Sequence, residues 1–188
     1  SDGIVLKKAM MKPENKRVVI IGAGYIGLEA AEAAVNLKKE VRIIQLGDRV
    51  IPGSFDKEIT DIMEEEIRGH KDVFLNLDEA VSEFEGKDGR VSGVKTNKGV
   101  YPADIVILAT GVRPNTKFLE GTGIETLKNG AIVIDGRGRS SIKDIYAAGD
   151  CATVYHKLKK ENVYIPLATT SNKIGRVVGE NLAGKDRE

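Results

Sequence analysis

Residues 17–45 predict a doubly wound α/β fold on a parallel sheet, and three observations carry the prediction. A β-branched run, Arg17 to Ile21, stops at Gly22. Apolar residues Ile26, Ala30, Ala33 and Leu37 then recur at helical spacing. A second strand-sized run, Val41 to Gln45, follows at once. Strand, helix and strand in that order make a βαβ unit, whose strands lie parallel with a right-handed crossover. Chains that extend this unit build open α/β sheets.

Ahead of the unit, Asp2 is placed to cap a short helix with apolar residues Ile4, Leu6, Ala9 and Met10, which Pro13 ends. Residues 1–15 therefore read as a lead-in. After the unit, Asp56 can cap a helix carrying Ile59, Met63 and Ile67 and closed by Gly69. The texture then changes to short pieces. Val73 to Asn76 and Val81 to Glu85 read as strands, and turns at Lys87-Asp88-Gly89 and Asn97-Lys98-Gly99 bracket Val91 to Thr96. An antiparallel β-meander requires that layout. Ile105 to Ala109 is an almost uninterrupted apolar run, suited to a strand buried on both faces. Beyond Gly111 come glycine-broken strands, Ile132 to Ile134 and Ile145 to Ala147, and a final helix from Thr169 to Leu182. No repeat at solenoid spacing and no low-complexity tract interrupts the chain.

At 188 residues the chain can hold one domain and part of another. Twenty-nine Lys and Arg against 28 Asp and Glu leave a net charge of +1, with no long run of one sign, which argues against a nucleic-acid partner. One cysteine, Cys151, and two histidines, His70 and His156, form neither an internal disulfide nor a zinc-ligand cluster, so a cytoplasmic protein without a structural metal is expected. Strand-sized apolar stretches and the absence of a signal-peptide pattern in Ser1 to Lys8 argue against membrane insertion and secretion.

Gly22-Ala23-Gly24-Tyr25-Ile26-Gly27 fits G-x-G-x-x-G and lies between a strand and a helix. A diphosphate needs free backbone N–H groups at the positive end of a helix, and that position supplies them. Gly22 permits the tight turn, Gly24 removes the Cβ that would bar the pyrophosphate, and Gly27 lets helix and strand pack closely. An ordinary glycine-rich turn that binds nothing is the plain alternative; the flanking elements favour a Rossmann-like NAD(P)-binding domain. Such domains place an acid at the end of the second strand to bond the adenosine ribose, and Gln45 stands there instead. Glutamine can bond a ribose hydroxyl without repelling a 2′-phosphate. No arginine directly follows it, and Arg49 is as readily a solvated loop charge as a phosphate ligand. NAD(H) is favoured over NADP(H).

Three strings now stand in order: Tyr25-Ile26-Gly27-Leu28-Glu29, Ala109-Thr110-Gly111-Val112-Arg113-Pro114-Asn115, and Ile145-Tyr146-Ala147-Ala148-Gly149-Asp150-Cys151-Ala152. From about Lys16 to Gly184 the chain resembles the FAD-dependent pyridine nucleotide-disulfide oxidoreductases, in particular the branch of NADH oxidases, NADH peroxidases and coenzyme A-disulfide reductases. The resemblance implies an NAD(P)-binding domain at 16–116, followed at 117–188 by the C-terminal portion of a flavin-binding domain. It implies that Tyr25 lies near the nicotinamide and flavin rings, that Glu29 contacts the nicotinamide carboxamide, and that Gly111 lies close to the dinucleotide. Gly149 and Asp150 match the segment that binds the flavin ribityl chain. Asn172, in Tyr164-Ile165-Pro166-Leu167-Ala168-Thr169-Thr170-Ser171-Asn172-Lys173, matches the stretch that passes the flavin ring and approaches a thiol substrate.

Each of these residues also has a plain structural reading. Tyr25 covers the turn, Glu29 is a first-turn acid that suits the helix dipole, Asp150 is a helix cap, and Asn172 is a polar residue early in a helix. Cys151 lacks the setting of a redox-active cysteine and reads as a small buried residue, so no residue is assigned a catalytic role. The family's flavin-domain glycine fingerprint and redox cysteine do not precede Lys16, and its dimerisation domain does not follow. The chain is accordingly expected to be the NAD(P)H-binding portion of an enzyme that passes hydride to FAD, without turnover in isolation. Its partners would be the remaining flavin-domain and dimerisation segments, in a homodimer when complete. A standalone dinucleotide-binding regulatory or redox-sensing module is the alternative. An ordinary two-domain dehydrogenase ranks last, because few residues follow Gly111 for a substrate domain.

Overall fold

A computed structural model describes residues 2–188. They form two compact units, one ending at Gly111 and the other starting at Val112. The first contains α1 (Asp2–Met10), β1 (Arg17–Ile21), α2 (Tyr25–Asn36), β2 (Glu40–Ile44), α3 (Lys57–Gly69), β3 (Val73–Asn76), β4 (Val81–Lys87), β5 (Arg90–Thr96), β6 (Val100–Pro102) and β7 (Ile105–Leu108).

Strands β3, β2, β1 and β7 lie in that order in one sheet, and every pairing is parallel. Side chains alternate across a strand, and the burial follows. Val18, Ile20, Val41 and Ile43 face a core shared with Ala31, Ala34, Val50 and Ile51. Val19 and Ile44 face the other way, into a smaller core with Val94 of the β4-β5-β6 meander and Ala103 just past it. The meander therefore covers the second face, where a helix layer would otherwise be needed. Its first turn puts Asp88 and Gly89 both at positive φ, +53° and +73°, the type I′ geometry that suits a two-residue hairpin. Arg42 bonds Asn76 Oδ1 at 2.8 Å. Its guanidinium stacks on Phe74 and Tyr101, 4.7 and 4.2 Å from the ring centroids, tying β2 to β3 and β6.

Some elements differ from the sequence reading. β7 stands at the sheet edge; its apolar run packs on both faces as expected, Ile105 and Ile107 against the main core and Val106 against the core under the meander, but its last residue, Leu108, is 63% exposed. Asp2 stands inside the first turn of α1 and not ahead of it. Asp56 occupies the N-cap of α3 but contributes only its backbone carbonyl, to the N–H groups of Ile59 and Thr60. Residues of α1 join the main core through Met10, Leu6 and Ala9.

The second unit has a 3-10 turn at Lys117–Leu119, an antiparallel pair β8 (Val154–His156) and β9 (Glu161–Val163), and α4 (Ala168–Leu182). Its core is Ile132, Ile134 and Ala152. The expected strands at Ile132 to Ile134 and Ile145 to Ala147 are reduced to isolated bridges, Ile132 with Thr126 and Ala152, and Tyr146 with Arg139. Gly130 and Gly138, both at positive φ, turn the chain away before a ladder can extend. Among the described residues no helix is long and apolar enough to cross a membrane, and no His, Cys, Asp and Glu cluster could hold a metal.

Candidate functional site

In the first sheet β1 has β2 on one side and β7 on the other, so the strand order reverses beside β1. In open α/β sheets the ligand crevice lies outside the carboxyl ends of the strands at that point. The glycine turn follows β1 directly, Gln45 follows β2, and Gly111 lies three residues past β7.

The three glycines answer to different constraints. Gly22 has φ +103°, and a Cβ there would come within 2.3 Å of the Ala109 carbonyl oxygen. At Gly27 a Cβ would meet the Gly22 oxygen at 2.0 Å. At Gly24 nothing lies within 4 Å. That open ground faces the start of α2, which has Gly24 as its N-cap, no side-chain cap and no acid in its first turn. The first N–H groups of a helix have no partner within it, and here no side chain supplies one. A carbon-free approach to uncapped donors at a positive helix end fits a diphosphate.

Ala23 is fully buried and held on both sides. Its N–H donates to Gln45 Oε1 at 3.0 Å, and its carbonyl accepts the Ile51 N–H at 2.9 Å. Ile51 is buried at φ +42°, an unusual conformation for a β-branched residue. The loop it anchors brings Phe55 edge-on to Tyr25, with ring centroids 6.4 Å apart. Sequence reading missed this loop. Its signal was the apolar pair Val50-Ile51 ahead of Pro52-Gly53 in an otherwise polar stretch.

Tyr25, Ile26 and Glu29 are exposed, and Tyr25 and Glu29 share one face of α2 at i, i+4 spacing. Glu29 is the fifth residue of α2, past the first turn, so the helix dipole does not account for it. Gly111 has φ +115° and is open to solvent.

The other candidates belong to the second unit. Gly149 has φ +85° with nothing within 4 Å of a Cβ. Asp150 is exposed, and its Oδ1 accepts the Ser171 hydroxyl. No helix starts after Asp150, so it is not a cap. Asn172 is exposed, the fifth residue of α4 and next to Ser171. Ser171 escaped the sequence reading, since nothing local marks its partner. Cys151 is half-buried, not buried, and its thiol bonds the Ala148 carbonyl at 3.3 Å. Burial, with the nearby charges of Asp150 and Cys151, raises the Tyr164 hydroxyl above its ordinary value.

Residues 3–175 match the family described as pyridine nucleotide-disulphide oxidoreductase. An NAD(P)H sulfur oxidoreductase (CoA-dependent) of Pyrococcus abyssi is 45% identical over 185 residues, 98% of this chain and 41% of the relative. An NADH oxidase of Streptococcus pneumoniae is 42% identical over 172 residues, 92% of this chain and 37% of the relative. Among solved structures, a water-forming NADH oxidase from Lactobacillus brevis bound to NADH is similar with a TM-score of 0.85 and 42% identity, over 96% of this chain and 39% of that one. The chain thus spans about two fifths of the length of the curated relatives it matches.

Proposed function

The chain belongs to the pyridine nucleotide-disulphide oxidoreductase family, and from that membership we propose that it is the NAD(P)H-binding portion of a flavin-dependent oxidoreductase of the NADH oxidase or coenzyme A-disulfide reductase type. The observation that carries the reading is the uncapped N-terminus of α2 behind the open ground at Gly24, at the point where the strand order reverses.

In this reading Gly24 admits the pyrophosphate, and the first-turn N–H groups of α2, from Tyr25 and Ile26, donate to it. Glu29 accepts from the nicotinamide carboxamide, and Tyr25, on the same face, packs against the ring. Gly22 and Gly27 hold the turn in shape, and Gly111 lies beside the dinucleotide. Bound FAD supplies a two-electron acceptor for the nicotinamide hydride. Residues 117–188 contribute to its site. Asp150 suits a polyhydroxyl chain, because Ser171 takes only its Oδ1 and leaves Oδ2 to accept a hydroxyl. In this reading Asn172, exposed on α4, is the residue that meets a thiol substrate. The working assembly is a homodimer with the flavin-binding and dimerisation segments typical of the family, in the cytoplasm. NAD(H) is the favoured nucleotide, since no cation directly follows Gln45.

The test is calorimetric titration of the chain with NADH, alongside Gly24→Asp. Space at Gly24 lets the variant fold, while its carboxylate stands where the pyrophosphate should lie. NADH binding that weakens by at least about tenfold, or about 1.4 kcal/mol, in the variant supports the reading. Equal binding by both proteins rejects it.

A further inference from the structure

Residues 50–56 form an arch with both feet fixed. Val50 is fully buried, and its N–H donates to Glu64 Oε1 of α3 at 3.2 Å. Ile51 is tied to the glycine turn through the Ala23 carbonyl, the Ser54 N–H closes back on the Ile51 carbonyl at 3.4 Å, and Asp56 starts α3. Inside this frame Ile51 keeps its φ of +42°. A β-branched residue holds such a conformation only where its surroundings over-determine it, and such places cluster at ligand clamps. Phe55 stands between the closed turn and the start of α3, so its backbone is fixed from both sides.

The ring that this arch carries lies outside the core. Phe55 is 40% exposed and Tyr25 39%, and neither belongs to the apolar clusters on the two faces of the sheet. Burial therefore does not account for where the Phe55 ring sits. Its neighbour does, since it meets Tyr25 edge-on at an interplanar angle of 61°, a favoured geometry for an aromatic pair. Tyr25 is the first residue of α2 and exposed, so its side chain has more than one rotamer open to it, and a fixed ring beside it favours one of them. Resting on the dinucleotide reading above, we propose that Phe55 is a positioning residue: without touching the nucleotide, it holds the Tyr25 ring where the nicotinamide packs. The adenosine and pyrophosphate then bind independently of it.

The test titrates the full chain calorimetrically with NADH and with ADP-ribose, which lacks the nicotinamide. The proteins are the unaltered chain, Phe55→Ala, Phe55→Tyr, Tyr25→Ala and the double variant Tyr25→Ala with Phe55→Ala, with a thermal melt of each. Phe55→Ala should weaken NADH by about two- to tenfold and leave ADP-ribose within about twofold of its unaltered affinity. Phe55→Tyr keeps the ring and should bind NADH as the unaltered chain does. In Tyr25→Ala, removing Phe55 should cost nothing further, because the ring through which it acts has gone. Phe55→Leu keeps apolar bulk without the ring and takes the place of Phe55→Ala if that variant fails to fold. Unchanged or tighter NADH binding in the ringless variant, an equal loss of NADH and ADP-ribose affinity, or a further loss in the double variant overturns the proposal while leaving the dinucleotide site standing. No binding of either ligand by the unaltered chain overturns that site as well.

Discussion

Gly24 and Gly27 stand in the same turn, yet substitution should fail at each for a different reason. A Cβ at Gly27 would sit 2.0 Å from the Gly22 carbonyl, which is backbone and cannot step aside cheaply. Gly27→Ala should therefore lose about 1–3 kcal/mol of stability, seen as a lower urea midpoint at unchanged slope. Gly24→Ala meets open space and should unfold like the unaltered protein. Equal midpoints for all three proteins would show that the turn relaxes more easily than its geometry suggests. The glycine pattern was legible from spacing alone, but the division of labour was not, because it rests on distances to Ala109 and Gly22 that spacing does not contain. Gln45 is similar. Its place at the strand end was readable, and its bond to Ala23, 22 residues earlier, was not.

At the scale of elements, Asp104 ties the start of β7 to the start of β1. Its carboxylate accepts the N–H groups of Lys16 and Arg17 at 2.9 and 2.8 Å and two bonds from the Arg17 guanidinium. The guanidinium bond first, and then the backbone bonds, outweigh burial and hold the carboxyl at about 2, against an ordinary 3.8. A depressed carboxyl contributes stability that is complete above the unfolded value and drains away as pH falls through the folded one. Asp104→Asn should thus cost about 1–2 kcal/mol at pH 7, allowing for the partial exposure of Arg17. The gap from the unaltered protein should narrow between about pH 4 and pH 2. Urea denaturation across that range measures it, and a gap that does not change with pH would mean that the pair contributes nothing through its charge. Most elements were legible because their periodicities are local. The edge position of β7 was not legible, because an apolar run reports which side chains prefer to be buried, and not how many strands stand beside it.

For the molecule as a whole, the two units have cores of unequal size. The first buries Val18, Ile20, Ala34, Val41, Ile43 and Val50 together with a second cluster under the meander. The second has a smaller cluster of Ile132, Ile134 and Ala152, with Ala131 and Val178 also buried. Buried apolar area is the main favourable term in folding. Calorimetry should therefore show residues 112–188 unfolding at the lower temperature. NADH at about a hundredfold its Kd should stabilise by about 2.7 kcal/mol, moving the upper transition alone. A single transition that shifts as one would mean that the units unfold together.

The glycine spacing, the βαβ order, the meander turns and the three family strings were all settled by residues near one another in the chain. Local dihedral preference and side-chain periodicity act at that range. The folded molecule decided which distant groups meet: Gln45 with Ala23, Ile51 with the glycine turn, Asp104 with Arg17, Ser171 with Asp150. Those pairings depend on how packed strands and loops bring together donors and acceptors that no local pattern links, and buried groups accept such partners because leaving them unpaired costs more.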